Sequence, residues 1–367
     1  MLRGEFWRHF DFGLLGAVVL ANAFGIAMIR SAVAGNTTLL PSVERQIIYA
    51  GIGLVVIVLV TILDYRYWSS LSRLVYIVTM VFLIILYVSG IARFGAARWF
   101  TVGSVFIQPA EIAKMAMIIA LADYFTRSSE ARRDWLWIAK SLFIAFGLMV
   151  WILLQPNLSN SIVIMVIWGA MVWVNGLQLK HLAIVSAVVV AIVVIGFPFL
   201  QTYQQDRVLN FIFPPTSASY GATYNVLQAL IALGSGGLFG KGYGHGTQTQ
   251  LRFMKVRHTD FIFSVIGEEF GLVGTVLTLL LLAFIIYRCL RAARLTNDPF
   301  GSLLAYGVAV LIAFQAAVNI AVNLNLIPVT GLPLPFISQG GSGLLSLLFG
   351  IGLVESVVVR HKSLEFS

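Results

Sequence analysis

Ten long apolar runs dominate this 367-residue chain and limit its possible folds more than any other feature. The hydrocarbon core of a bilayer, about 30 Å thick, is crossed by roughly 20 helical residues, and each run approaches that length with few charges. The runs span residues 12–29, 47–63, 74–92, 110–124, 135–154, 158–174, 182–200, 261–287, 303–322 and 337–359. Helices are the predicted form, because unpaired backbone cannot face lipid and the alternating pattern of a membrane barrel is absent. The sequence therefore predicts an all-α polytopic membrane protein with about ten transmembrane helices.

The composition supports this class of protein and excludes several others. Hydrophobic residues make up 59% of the chain and charged residues only 11%, against about 25% in an ordinary soluble domain, which excludes a soluble globular enzyme. The net charge of +9 does not indicate nucleic-acid binding, because no basic stripe lies on a water-facing domain. A single cysteine, Cys289, excludes an internal disulfide. We therefore expect one integral membrane domain over residues 1–367 and no nucleic-acid partner.

Basic residues set the predicted orientation, since short cytoplasmic loops carry an excess of lysine and arginine. With the N-terminus in the cytoplasm, these residues divide fourteen to four between the inner and outer short loops. Both termini are then cytoplasmic, and residues 201–260 form a large extracytoplasmic loop between spans seven and eight. Polar residues near the span ends gather at the extracytoplasmic face in this topology, so we expect the functional site there.

Glu111 and Lys114 place two charges inside the fourth apolar run. Their i, i+3 spacing puts both on one helix face, where they can form an ion pair. Ionisable residues inside spans are costly and usually face a bundle interior or a wet cavity, which makes the pair a candidate site. The alternative is a self-compensating ion pair that locks two helices together.

Asp260 stands directly before the eighth apolar run, close to His258, with Glu268 and Glu269 about two helical turns further along. An apolar boundary destabilises the charged form of a carboxylate and raises its pKa toward values useful for a general base. The alternative is an N-cap, because aspartate directly before an apolar helix is a common start signal. The residue pattern leaves the two roles open.

Two glycine-rich segments flank this region. The stretch 234–246 holds seven glycines, which fits either a phosphate cradle of backbone N–H groups or a flexible loop. The stretch 325–343 is an uncharged loop rich in proline and glycine between the last two apolar runs. Irregular backbone of this kind at a membrane surface is tolerated only where it is packed or lines a cavity.

Several motifs resemble those of the SEDS family of peptidoglycan polymerases. They are HTDFIF at 258–263, GKGYGHGTQ at 240–248, IPVTGLPLPFIS at 327–338 and QPAEIAK at 108–114. The resemblance covers essentially the whole chain, including the ten spans.

The resemblance implies a multi-pass glycosyltransferase of the plasma membrane that elongates glycan strands from lipid II at the outer face. It implies a class B penicillin-binding protein and other elongation proteins as partners, and a divalent cation, Mg²⁺ or Mn²⁺, at the leaving group. The metal ligands are not defined by the motifs. The short segment before the first span favours the elongation member of the family over its division member.

The resemblance also assigns roles to individual residues. Asp260 matches the catalytic aspartate, which deprotonates the acceptor sugar, and Glu111 matches an essential acidic position on the helix of Lys114. Basic positions that hold the pyrophosphate are matched by Arg45, Arg98 and Lys114. The remaining substrate-binding candidates are Gln108, Asn157 and His258.

Asn157 departs from the family pattern, which commonly has aspartate at this turn, and so lacks the carboxylate that could ligate a metal or position Lys114.

Three alternatives remain beside the elongation polymerase. They are a division-type polymerase, a flippase for lipid II that would use Glu111 and Lys114 along a crossing path, and a scaffold in which Asp260 is only a helix cap. A flippase is less favoured, since such transporters often show internal repeats and polar groups at both faces, which are not evident here.

Overall fold

The protein is an all-helical bundle in a computed structural model, apart from one short hairpin. The structure describes residues 9–89, 99–102, 105–129, 134–177, 180–181, 183–184, 187, 196–199, 201–213 and 222–361. Its helices are α1 (Phe12–Ala32), α2 (Pro41–Ile62), α3 (Arg66–Ser89), α4 (Pro109–Arg127), α5 (Trp135–Leu154), α6 (Leu158–Val174), α7 (Thr202–Ile212), α8 (Ala222–Ser235), α9 (Thr247–Gln250), α10 (Ile262–Leu295), α11 (Pro299–Asn323) and α12 (Gly341–Arg360). Strands β1 (Phe100–Val102) and β2 (Val105–Ile107) pair antiparallel directly before α4.

Seven helices in the described part of the chain are long and apolar enough to cross a membrane: α1, α2, α3, α5, α10, α11 and α12. Helix α6 is apolar but has only 17 residues, and α4 carries buried charges. Helices α5 and α6 have the bounds that the apolar runs predict, and the other described spans differ from theirs by up to eight residues at one or both ends. The predicted span 182–200 lies mostly outside the described residues. The chain is a polytopic, mainly helical membrane protein.

Successive long helices run in alternating directions, which gives the bundle two ends. We call them the Asp260 end and the Asp123 end after one aspartate at each. Helices α2, α4, α6, α10 and α12 begin at the Asp260 end, whereas α1, α3, α5 and α11 begin at the Asp123 end.

Close helix contacts depend on glycine, as is common where backbones approach each other in membrane bundles. Helix α12 packs most extensively on α2, and a Cβ on Gly53 would lie only 2.0 Å from Leu348 Cδ1. A Cβ on Gly25 of α1 would lie 2.6 Å from the carbonyl oxygen of Ile337. Glycine at these two places allows α12 and the loop before it to sit inside the bundle.

The loop before α12 spans residues 324–340, and its second half is packed into the protein, whereas Leu324 and Leu326 at its start are exposed. Its apolar side chains Leu332, Leu334, Phe336 and Ile337 are all buried. Gln46 of α2 holds the loop's end, since its side chain donates to Ser338 O at 3.3 Å and accepts from Gly340 N at 3.3 Å. This packing meets the condition under which irregular backbone is stable at membrane depth.

The glycine-rich segment between α8 and α9 packs against a break in α10. The break is at Gly271, whose φ of 64° is outside the helical range, and Leu272 N donates to Gly237 O at 2.9 Å. Lys241 N and Gly242 N donate to the carbonyls of Glu268 and Glu269 at 3.0 and 2.9 Å. These two amides bind protein carbonyls, so they are not part of a phosphate cradle.

Candidate active site

Asp260 is held in place through its main chain by two asparagines of α11. Asn319 Nδ2 and Asn323 Nδ2 donate to the carbonyl oxygen of Asp260 at 3.0 and 2.9 Å. Asn319 also donates to Leu332 O at 2.8 Å, which ties the 324–340 loop to the same point. Both asparagines are buried, so the position of Asp260 is fixed without any use of its carboxylate.

The side chain of Asp260 does not cap α10. The residue at the N-cap position is Phe261, which makes no side-chain cap hydrogen bond. Asn323 supplies the cap instead, because its Oδ1 accepts from Ser264 N at 3.1 Å and from Ser264 Oγ at 2.7 Å. Of the two roles that the sequence left open for Asp260, the N-cap is therefore excluded, and its carboxylate is available for chemistry.

The surroundings of the Asp260 carboxylate favour its protonated form more than water does. Burial raises its pKa to about 6, although the charge of Arg207 and the hydroxyl of Thr259 act in the opposite direction. A Cβ on Gly331 would lie 3.8 Å from Asp260 Oδ2, so glycine leaves space beside the carboxylate. A carboxylate with this pKa is largely ionised at neutral pH and is a stronger base than an exposed aspartate.

His258 is neutral at physiological pH. Burial, together with the charge of Arg257, lowers the pKa of His258 to about 4. Its Nδ1 is buried without a hydrogen-bond partner. Asp260 is therefore the better candidate for a general base near pH 7, and His258 can offer an uncharged hydrogen-bonding group.

Glu111 and Lys114 form an ion pair in the interior, with 2.7 Å between Glu111 Oε2 and Lys114 Nζ. Their side chains are only 6% and 1% exposed, so both charges depend on each other for compensation. Ser346 Oγ of α12 donates to Glu111 O at 2.8 Å, and a Cβ on Gly343 would lie 3.3 Å from Glu111 Oε2. The pair thus faces the first turns of α12.

One stretch of chain, residues 338–346, connects this pair to the Asp260 segment. Ser338 Oγ donates to Thr259 O at 2.6 Å, and Gln339 N donates to His258 O at 3.1 Å. A few residues later, Ser342 Oγ accepts from Gln108 N at 3.2 Å, next to the start of α4. Residues far apart in sequence are therefore joined along one wall at the Asp260 end.

The other predicted residues occupy different positions. Arg45 lies at the same end on α2, half-buried, and its Nε donates to Pro41 O at 3.3 Å. Asn157 is 6% exposed, lines a separate cavity, and its Nδ2 has no hydrogen-bond partner. Arg98 is outside the described residues. The structure thus brings Glu111, Lys114 and Gln108 together and places Asn157 elsewhere.

Three residues near Asp260 were not predicted from the sequence: Arg207, Asn319 and Asn323. Asn319 and Asn323 have an i, i+4 spacing at the end of an apolar run, which is the one sequence signal that could have drawn attention to them. Arg207 comes from α7, near the start of the long loop, where no periodicity indicated it.

The described residues do not contain a ready metal site. No group of three or more histidine, cysteine, aspartate or glutamate side chains is placed to hold an ion in the described ranges. Mg²⁺ commonly binds through one or two carboxylates and the phosphates of a substrate, so the site's own donors do not form a cage for it. No step of the reaction is assigned to a metal below.

The comparison with protein families identifies the class. Residues 9–363 match the family model of FtsW, RodA and SpoVE, which is described as "Cell cycle protein". The chain belongs to this family of polytopic membrane proteins, and the predicted resemblance is confirmed.

One of two similar curated relatives carries the predicted activity in its name. The chain is 34% identical over 327 residues to the peptidoglycan glycosyltransferase MrdB of Escherichia coli K12, covering 88% of this chain and 87% of MrdB. It is 32% identical over 320 residues to the stage V sporulation protein E of Bacillus subtilis 168, covering 86% of each. The prediction of a peptidoglycan glycosyltransferase is confirmed at the level of enzyme class.

Solved structures share the fold. A chain from a study of polymerization and crosslinking by a peptidoglycan synthase complex superposes with a TM-score of 0.81 at 30% identity, covering 96% of this chain and 98% of that one. The rod shape determining protein RodA of Thermus thermophilus superposes with a TM-score of 0.71 at 29% identity and the same coverage. A variant of that RodA with one aspartate replaced by alanine gives the same score.

Proposed function

We propose that this protein polymerises lipid II into glycan strands at the outer face of the plasma membrane. In this proposal the Asp260 end faces outward, the chain crosses the membrane ten times as one domain, and both termini are cytoplasmic. The excess of lysine and arginine in the short loops at the Asp123 end supports this orientation. A substrate carried by a lipid reaches such a site from the bilayer and needs no nucleotide-binding domain.

Asp260 acts as the general base. Its carboxylate takes the proton of the 4-hydroxyl of the acceptor sugar while that oxygen attacks the anomeric carbon of the donor. The bond from that carbon to the pyrophosphate oxygen breaks, and its electron pair leaves with the polyprenyl pyrophosphate. The observation that carries this role is that Asn319 and Asn323 hold Asp260 and cap α10, which leaves a carboxylate with a pKa of about 6 free of any structural task.

The Glu111–Lys114 pair serves the leaving group. Lys114, with Arg45 and Arg98, is proposed to bind the donor pyrophosphate, since cations stabilise the charge that develops there. Glu111 holds Lys114 in position, as the 2.7 Å ion pair suggests. Gln108 and His258 are proposed to contact the sugars. The proposal includes a divalent cation, Mg²⁺ or Mn²⁺, which would neutralise charge on the leaving group.

A class B penicillin-binding protein is the proposed partner. The similar chain in a peptidoglycan synthase complex that both polymerises and crosslinks supports this partnership. The proposed cellular role is elongation, together with the other proteins of the elongation complex. Localisation of a tagged copy to the lateral wall supports that role, and localisation to the septum contradicts it.

The test uses the full chain purified with its partner, supplied with lipid II and Mg²⁺, with glycan polymer as the readout. Wild type is expected to form polymer, and Asp260→Ala is expected to form none while remaining folded. Equal polymer from both proteins would overturn the assignment of the base. Transport of lipid II across vesicles without any polymer would favour the flippase.

A further inference from the structure

A substrate-sized cavity, the one that Asn157 lines, lies near the Asp260 segment. Its volume is about 440 Å³, within the range of roughly 300–1,000 Å³ typical of small-ligand pockets. It is enclosed by the turn before α6, by α7, by one face of α11 and by the start of the 324–340 loop. Neither Ser346 nor Gly343, which lie against Glu111, lines it.

The lining of this cavity is apolar, with a few polar groups. Ile162, Phe314 and Val318 contribute apolar side chains from within the membrane-spanning helices α6 and α11. Asn157 and Arg207 contribute polar side chains from outside the helices that cross the membrane. An amphiphile with an apolar chain and an anionic head matches this division.

Two observations indicate that these polar side chains bind a ligand. The Nδ2 of Asn157 is buried and has no hydrogen-bond partner among the described residues, and an unsatisfied buried donor costs about 1–3 kcal/mol. Arg207 Nη1 donates to Val329 O at 3.3 Å, and this hydrogen bond orients the guanidinium. A guanidinium has five N–H donors, so one hydrogen bond to the protein leaves donors for a ligand. A phosphate oxygen would satisfy both side chains.

The cavity shares a wall with the Asp260 segment. Leu332 lines the cavity, and its carbonyl oxygen accepts from the same Asn319 side chain that holds Asp260 O. The charge of Arg207 also stabilises the ionised form of Asp260, so the two residues are near each other. A lipid-linked sugar whose carrier occupies the cavity can therefore present its sugar to Asp260.

We propose that this cavity binds the lipid carrier of the acceptor substrate, a polyprenyl pyrophosphate that bears the attacking sugar. Asn157 and Arg207 contact its pyrophosphate, while the first isoprene units pack on Ile162, Phe314 and Val318. This inference rests on the proposed function, which requires two lipid-linked molecules and assigns the donor pyrophosphate to Lys114, Arg45 and Arg98.

The test separates acceptor from donor in a single coupling reaction of the full chain with its partner. The donor is lipid II with its 4-hydroxyl blocked, and the acceptor is a lipid II analogue whose anomeric phosphonate cannot leave. The acceptor also carries a diazirine on its first isoprene unit, so its binding site can be mapped by photolabelling.

Ile162→Trp fills the cavity from a position that is 43% exposed, and Arg207→Gln removes its charge. Both variants are expected to raise the KM for the acceptor roughly tenfold and to leave the KM for the donor within twofold. The matched control is Leu277→Trp, at a 60% exposed position of α10 far along the helix from Asp260, which is expected to change neither constant. In wild type we expect the photolabel on residues 157–162 and 314–318, and Ile162→Trp should reduce it roughly tenfold.

The outcomes distinguish this inference from the function on which it rests. Coupling by wild type with an unchanged acceptor KM in both variants, or photolabel outside the cavity, would overturn the acceptor site alone. Absence of coupling in wild type with the cavity still labelled would overturn the proposed function and support a binding site for the lipid carrier.

Discussion

Asp123 is buried and Asp260 is half-buried, at opposite ends of the bundle, and their side chains have different surroundings. The carboxylate of Asp123 accepts from Ser69 Oγ at 2.6 Å, Ser72 Oγ at 2.8 Å and Arg127 Nε at 2.9 Å. Asp260 is held instead through its carbonyl oxygen by two asparagines. Asp123 thus uses its carboxylate to join α3 and α4, whereas Asp260 has its main chain fixed and its carboxylate left for another task.

Two polar atoms at the Asp260 end also await a partner. Buried polar atoms are normally hydrogen-bonded, and exceptions in a native protein call for an explanation. His258 Nδ1 and Asn157 Nδ2 are two such exceptions among the described residues, and a substrate can satisfy groups of this kind. Trp68 Nε1 and Glu355 Oε1 are further exceptions at the Asp123 end, so the contrast between the two ends rests on the aspartates themselves.

The largest expected effect comes from the same substitution at the two aspartates. Asp260→Asn keeps both asparagine contacts, since these go to the main chain, but removes the base and should lower the polymerisation rate by about 10²–10⁴-fold. Asp123→Asn should leave the rate per folded molecule within about twofold and lower the free energy of unfolding by about 1–3 kcal/mol. Rates are measured with lipid II, and stability by thermal unfolding in detergent. The opposite pattern would show that Asp260 is the structural residue of the two.

The Glu111–Lys114 pair should have the next largest effect. A double-mutant cycle distinguishes a pair that binds the pyrophosphate from an ion pair that only joins two helices. Lys114→Met leaves Glu111 buried without its partner, which should destabilise the protein by about 3–5 kcal/mol. Adding Glu111→Gln removes the second charge and should restore most of that stability. If the pair were only a lock between helices, the double variant would also regain polymerisation. We expect it to stay inactive, because no cation remains at this position for the pyrophosphate.

Asn323 should have an intermediate effect. Asn323→Leu has a similar volume but loses the cap of α10 and one contact to Asp260 O, so we expect a loss of about 1–3 kcal/mol in stability. The polymerisation rate should fall roughly tenfold, because the Asp260 carboxylate is no longer held in the position needed to accept the proton. The matched control is Asn22→Leu in α1, where the amide donates to Val18 O of its own helix. Equal losses of activity in both variants would contradict a specific role for Asn323.

The sequence predicts the helices well and the site only in part. The apolar runs predict the described spans because span length and apolarity are properties of local sequence. The break in α10 was not predicted, since it depends on carbonyls of Glu268 and Glu269 meeting amides of a distant loop. The capping of α10 by Asn323 is equally a contact across the fold, 59 residues from Ser264.

Individual site residues show the same limit. The i, i+3 spacing of Glu111 and Lys114 predicts their ion pair, because both are on one helix. Whether Asp260 is a cap or a base could not be predicted, since the answer lies in Asn319 and Asn323. Arg207 was not predicted for the same reason, because its relation to Asp260 depends on where α7 packs.

The pH dependence of polymerisation tests most directly the central claim that the ionised Asp260 carboxylate is the base. Since the carboxylate accepts a proton only when ionised, kcat/KM should rise with pH, reach half its maximum near pH 6 and level off above it. Arg207→Gln removes a charge that lowers the pKa of Asp260, so its midpoint should shift upward by a fraction of a pH unit. A rate that stays constant from pH 5 to pH 8 in wild type, or a midpoint that falls in Arg207→Gln, would contradict the account.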